Sequence, residues 1–238
     1  MRRASNTRTG NYLLDALPPE SLERLQPHLE PVALVLKARV QRVEHVYFPV
    51  SGLISVIATM KDGATIEIGM IAREGMYSVS AILSEDTPSE TTIVQLSGHA
   101  LQMKARLLRK AVQADAALQR LLLRYTQATL SAAAQSAACN RLHPLEQRCA
   151  RWLLACHDRT DADTFPMTHE LLAMVLGVRR PGITFAAQAL QKNGLIAYSH
   201  GSLTVVDRSG LEAAACECYR VIRDEFSRVF AASPPFSG

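Results

Sequence analysis

Cysteine is absent before position 139 of this 238-residue chain, and the five present stand at 139, 149, 156, 216 and 218. An odd number without framework spacing excludes a secreted disulfide scaffold. It predicts a reducing, cytoplasmic setting. Long apolar runs are also missing. None approaches the ~20 residues that span a bilayer, so no membrane partner is expected. The start, MRRASNTRTGN, is basic with no apolar stretch behind it, and reads as a short disordered arm rather than a secretory signal. G-x-S-x-G, Walker A, H-E-x-x-H and paired C-x-x-C motifs are all lacking. The chain is therefore expected to be no enzyme, with no cofactor and no metal. Cys216 and Cys218 stand two apart on an apparent helix, where side chains diverge, and are expected to be packing residues.

What is present is an ordinary soluble balance, 48% apolar and 20% charged, in a chain long enough for two modest domains. The net charge is only +4. Between residues 104 and 151, however, Asp115 and Glu146 are the only acids among many bases. That suits an anionic partner and equally a solvated helix face.

Short helices broken by Pro18, Pro19 and Pro27 open the chain. Short β-branched runs follow at residues 32–36, 46–48, 53–57, 65–68, 93–96 and 101–103, with Asp62-Gly63 as a hairpin signal between two of them. This predicts a small β barrel or sandwich over residues 31–104. Neither glycine nor proline occurs from 105 to 143, and after Ala116 the pattern is a helix of roughly 25 residues, near 37 Å long. Leu118, Leu121, Leu122, Tyr125, Ala128, Leu130 and Ala132 recur at helical spacing, and all of them but Leu130 are the expected dimerisation stripe. An intrachain helical hairpin is the alternative. His143-Pro144 marks a hinge, after which residues 145–157 resume as a helix and 159–165 read as a loop.

Residues 169–190, HELLAMVLGVRRPGITFAAQAL, supply what a helix-turn-helix requires. Thr168 is the N-cap, Ala173 the small contact residue and Gly177 the turn, while Leu172, Leu176, Val178, Ile183 and Ala186 form the inner set. Pro181 fits the first turn of the second helix. Arg179 and Arg180 stand at that helix's N-terminus, where a guanidinium reads guanine or clamps phosphate. Gly182, Thr184 and Gln188 continue the outer side, with Phe185 at its edge or packed within. Two short β runs about Ser199-His200-Gly201-Ser202 form a wing whose tip, Ser199 and His200, would meet phosphates. A capping box at Ser209-Gly210-Leu211-Glu212 opens a final helix with an apolar stripe through Ala215, Cys218, Ile222, Phe226 and Val229. These features predict DNA binding; a winged helix reused for protein contact is the alternative.

The order of elements, with Arg148-Cys149-Ala150-Arg151-Trp152-Leu153-Leu154 and residues 177–190, resembles the Crp/Fnr family of bacterial transcription regulators. The resemblance implies an α+β chain in three parts. These are a jelly-roll β-roll similar to cyclic-nucleotide-binding domains (12–114), a long dimerisation helix (115–142) and a winged helix-turn-helix (143–232). It further implies a homodimer on a palindromic double-stranded DNA site, with RNA polymerase as a partner. Arg180 matches a DNA-contacting arginine of the family, whereas Pro181 and Phe185 replace an acidic and a basic contact. The phosphate-binding residues depart from the family pattern. Val79 stands where its glutamate is expected, Glu90 follows Pro88-Ser89, and no arginine lies between Arg73 and Arg106. The effector is therefore expected to be something other than a cyclic nucleotide, or absent. The missing N-terminal cysteines exclude the family's iron–sulfur cluster. His45 and His99 leave a haem open, with a structural or surface role as the alternative.

Overall fold

The computed structural model describes residues 8–40, 44–83 and 91–230. The N-terminal basic arm, Pro88 to Glu90 and the final eight residues therefore lie outside the described residues, apart from positions 8–11 of the arm. Two short helices open the chain, α1 (Tyr12–Asp15) and α2 (Pro19–Leu25). Six strands follow: β1 (Glu30–Leu34), β2 (His45–Pro49), β3 (Leu53–Thr59), β4 (Thr65–Ile71), then α3 (Ser80–Leu83), β5 (Thr91–Leu96) and β6 (Gly98–Lys104). They form two antiparallel three-stranded sheets, ordered β1-β6-β2 and β4-β3-β5. Asp62-Gly63 closes the β3–β4 hairpin. Gly63 sits at φ +85°, and the Asp62 carboxylate accepts from Ala64 N–H at 3.0 Å. Tyr47, Ile54, Val56, Ile71, Tyr77 and Val94 fill the space between the sheets. His45 pairs with Lys104 and His99 with Ala33, near opposite ends of β6, so no common ligand is shared between them.

The helical part comprises α4 (Ala105–Ala114), α5 (Ala116–Leu142) and α6 (Leu145–His157). Strand β7 (Thr164–Pro166) follows, then α7 (His169–Leu176), α8 (Arg180–Lys192), β8 (Ile196–Ser199), β9 (Ser202–Val205), α9 (Arg208–Ala214) and α10 (Cys218–Val229). Helix α5 is capped by Asp115, whose carboxylate accepts from Ala117 and Leu118 N–H. It ends where Pro144 forces His143 to an extended ψ of 143°. Among the described residues no helix is long and apolar enough to cross a membrane.

The expected dimerisation stripe is largely covered by the chain itself. Leu118, Leu121, Leu122, Tyr125 and Ala128 are buried within the chain itself, and Ala132 packs beside them. They share one buried cluster with Leu13, Leu14 and Leu25 and with Phe226 and Val229 of α10, the Phe226 ring lying against Tyr125. The sequence shows apolar residues all round α5 but not which side its own chain covers. The side left open carries Leu123, Gln127, Leu130, Ala134 and Ala137, spaced alternately four and three apart. Leu130 is 65% exposed.

The final stretch also differs from expectation. Ala215 is extended, with ψ 156°, so the apolar stripe breaks into α9 and α10. Asp207, not Ser209, caps α9 by accepting from Gly210 N–H at 2.9 Å. The interval 159–165 is not all loop, because β7 joins β9 as the edge of a three-stranded wing sheet.

The β sheets and the C-terminal helices do not have separate cores. Leu53, Ala72 and Leu96 belong to the same buried cluster as Trp152, Leu153, Leu172 and Ile183. Polar links cross the junction as well, among them an exposed pair between Arg73 and Asp161. Arg159 Nε meets Glu74 Oε1 at 2.7 Å, with both side chains buried. Trp152 Nε1 donates to Glu67 Oε1 at 2.7 Å, and Ser55 donates to the other oxygen of Glu67.

Burial pushes the Glu67 carboxyl up to about 7, against the lowering pull of the Ser55 and Trp152 hydrogen bonds. A carboxyl that holds its proton more tightly folded than unfolded loses stabilising effect as pH rises from its ordinary value of 4.5 towards 7. Glu67→Gln should therefore remove part of the decline in unfolding free energy between pH 5 and 8 that the parent chain shows in urea melts. Identical slopes in parent and variant would contradict this assignment.

Candidate nucleic-acid interface

Thr168 lies just outside α7 in extended geometry, and its hydroxyl accepts from Leu171 N–H at 3.2 Å. This satisfies one of the free donors of the first turn. Helix α7 ends at Gly177, whose φ of +63° and ψ of 40° are left-handed. Val178 N–H returns to Ala173 C=O at 3.0 Å, and Gly177 N–H to Met174 C=O at 3.2 Å. These bonds close the helix end. A Cβ at position 177 would stand 2.7 Å from Ile66 Cδ1 on β4, so the backbone conformation favours glycine and the end of the Ile66 side chain would have to shift for any other residue.

Helix α8 starts with Pro181 in its first turn and buries Ile183, Ala186, Ala187 and Leu190. Its other face is open. Arg179, Arg180, Phe185 and Gln188 are exposed, and Phe185 is 73% accessible. Arg180 Nε lies 3.0 Å from Glu170 Oε1, with both groups in solvent. The Glu170 carboxyl is held below its ordinary range, first by its own backbone N–H and also by Arg180. Such an exposed pair is weak and easily exchanged. Thr184 is partly withdrawn, its hydroxyl lying 3.2 Å from His169 Nδ1 and 3.3 Å from Arg180 C=O.

Gly182 does not belong on the outer face. A Cβ there would point at Leu145 Cδ2, 3.1 Å away, so this glycine lets α8 approach α6. The wing turns through His200 and Gly201, at φ 49° and 81°, the paired positive values of a tight two-residue hairpin. Ser199 Oγ and His200 Nδ1 lie 2.8 Å apart at its exposed tip. Thr168, Arg179, Arg180, Gln188, Ser199 and His200 are thus presented to solvent.

The stretch resembling a phosphate-binding segment is engaged internally. Glu74 holds Arg159. The Tyr125 hydroxyl lies 3.1 Å from Met76 N and donates to Met76 C=O at 3.2 Å. A Cβ at Gly75 would collide with that hydroxyl at 2.1 Å. Sequence reasoning missed Glu67, Glu74 and Arg159 as cross-links; acids and a base scattered over the chain give no local signal of pairing.

Gly177→Ala should destabilise the chain by about 1–3 kcal/mol, through strain and the clash with Ile66. Gly194→Ala should cost less, because φ is +73° there but nothing lies within 4 Å of the added carbon. Equal costs for the two variants in chemical denaturation would show that the Ile66 contact carries no weight.

Residues 147–214 match the family of Crp-like helix-turn-helix domains. Among solved structures, a transcriptional regulator of the Crp/Fnr family from Eubacterium rectale superposes with a TM-score of 0.68 at 18% identity, covering 86% of this chain and 98% of that one. FixK2 from Bradyrhizobium japonicum gives 0.67 at 17% identity, over 79% of this chain and 98% of its own. CLP from Xanthomonas campestris, a c-di-GMP-responsive global regulator, gives 0.64 at 16%, over 79% and 99%. No curated protein matches the chain by sequence. The chain therefore carries a Crp-like helix-turn-helix domain on the fold of the Crp/Fnr transcription regulators.

Proposed function

We propose that this protein is a sequence-specific transcription regulator that inserts α8 into the major groove of duplex DNA. The observation that carries this is the division of α8. One face is locked into the core, while the other presents Arg180 and Gln188 in line, with Phe185 beside them. Arg180 would exchange Glu170 for guanine O6/N7 or a phosphate, and Phe185 would suit a thymine methyl. Arg179, Thr168 and the wing tip at Ser199 and His200 would grip the backbone on either side. The hydroxyl of Thr184 continues the line, although part of it is already used.

Homodimerisation through the open stripe of α5 fits this reading. Leu123, Leu130, Ala134 and Ala137, with Gln127 among them, fall at the four-and-three spacing of a two-helix seam, and two copies of α8 would then face a palindromic site. The domain limits 12–114, 115–142 and 143–232 describe this division of labour, although the outer two share a core. A cyclic nucleotide is a poor effector candidate here, because Glu74 and the Met76 N–H are engaged with Arg159 and Tyr125.

Arg180→Ala should weaken specific DNA binding by about 1–3 kcal/mol and relax sequence preference at one position. Fluorescence anisotropy on selected duplexes reads this, and unchanged affinity and preference would remove Arg180 from the interface. The parent protein should also lose affinity linearly in log[salt]. A flat dependence would favour a protein partner for the exposed Phe185. Leu123→Glu with Leu130→Glu should convert dimer to monomer in sedimentation, whereas a dimer that persists would place the seam elsewhere. Cyclic AMP should leave the melting temperature unchanged; a saturable rise would reverse the reading of the β-roll.

A further inference from the structure

Three cysteines and a histidine, apart from the interface above, converge on one point. Cys139 and His143 stand one helical turn apart at the end of α5, and His143 is swung out of helical geometry by Pro144. Cys216 and Cys218 lie at the α9–α10 bend, where the extended backbone at Ala215 replaces the continuous helix that would have spread them apart. Their ligand atoms all lie within 4.8 Å of one another, and the three cysteines are buried. Cys139 Sγ is 3.5 Å from Cys216 Sγ, and Cys218 Sγ is 3.6 Å from His143 Nδ1. A tetrahedral ion with bonds of about 2.3 Å to sulfur and about 2.0–2.1 Å to nitrogen has ligand edges of about 3.5–3.8 Å.

The surroundings are those of a ligand set. The second ring nitrogen of His143, Nε2, lies 3.2 Å from Glu217 Oε1, the carboxylate contact that orients a metal-bound imidazole. Gln135 Nε2 donates to Cys218 Sγ at 3.1 Å. Arg148 and Arg151 lie close enough to interact electrostatically with Cys139 and would offset the charge of three thiolates. A disulfide would need only two of the sulfurs and would give neither the histidine nor its carboxylate a role.

We propose that Cys139, His143, Cys216 and Cys218 form a closed structural site for a thiophilic divalent cation of the zinc class. Four protein ligands leave no open position, so the ion binds without catalysing. It would staple the C-terminal end of α5 to the bend that leads into α10. Binding releases the thiol protons and involves no change of oxidation state.

The test uses the full-length chain, reduced, stripped of metal and kept anaerobic, with cobalt(II) as the probe. Titration should give the intense visible absorption of tetrahedral thiolate-bound cobalt, saturating at one ion per chain and bleached by equimolar zinc. Cys139→Ser and Cys216→Ser should lose that signal, whereas Cys149→Ala, altered in the separate core around Trp152, should keep it. Because a serine variant can fail to fold, X-ray absorption of the zinc-loaded parent provides the second reading. Three sulfurs and one nitrogen about zinc support the site. Any other donor set, an absence of cobalt uptake, or a Cys139–Cys216 disulfide that resists reduction and blocks uptake overturns it.

Discussion

The ion pair between Arg159 and Glu74 sits at the junction on which the architecture turns. Both side chains are almost wholly removed from water. Deleting one partner of such a pair leaves a charge buried without compensation, at a cost of about 3–5 kcal/mol. The pair joins the end of α6 to the segment after β4, and apolar packing continues across the same boundary from Leu53 and Ala72 to Trp152 and Leu172. The helix-turn-helix is thus seated on the β-roll, not tethered to it. Any signal that repositions α8 must act on this shared core.

That seating extends to the turn after β4. Tyr125 reaches from α5 into the turn at Gly75 and Met76, where its hydroxyl meets the Met76 N–H and C=O. Glu74 is committed in the same way. Glu74, Met76 and Tyr125 are here part of the framework linking sheet, long helix and helix-turn-helix.

How far the sequence could be read depended on how local each signal was. The Asp62-Gly63 hairpin, the Thr168 cap, the Gly177 turn and the Pro144 break each act within a few residues, and each stands where the pattern predicted. The outer face of α8 was legible too, except at Gly182, whose missing side chain serves Leu145. What escaped was set by distant partners. The covered side of α5 is decided by Phe226 and Val229, far along the chain. The bend at Ala215 carries no glycine or proline to announce it, so Cys216 and Cys218 read as residues on one helix. Strand β7 is three residues long and exists only through its pairing with β9.

Helix α5 offers apolar residues on opposite sides, and among the described residues α10 packs on one of them. That partner, α10, leaves the ribosome after the entire helix-turn-helix. During synthesis Leu13, Leu14, Leu25 and the Met76 turn are already made when α5 emerges, and only the part of the Tyr125 side that α10 covers waits for its partner. Arrival of Phe226 and Val229 completes that cover, so the order of translation leaves this part of the core to close last.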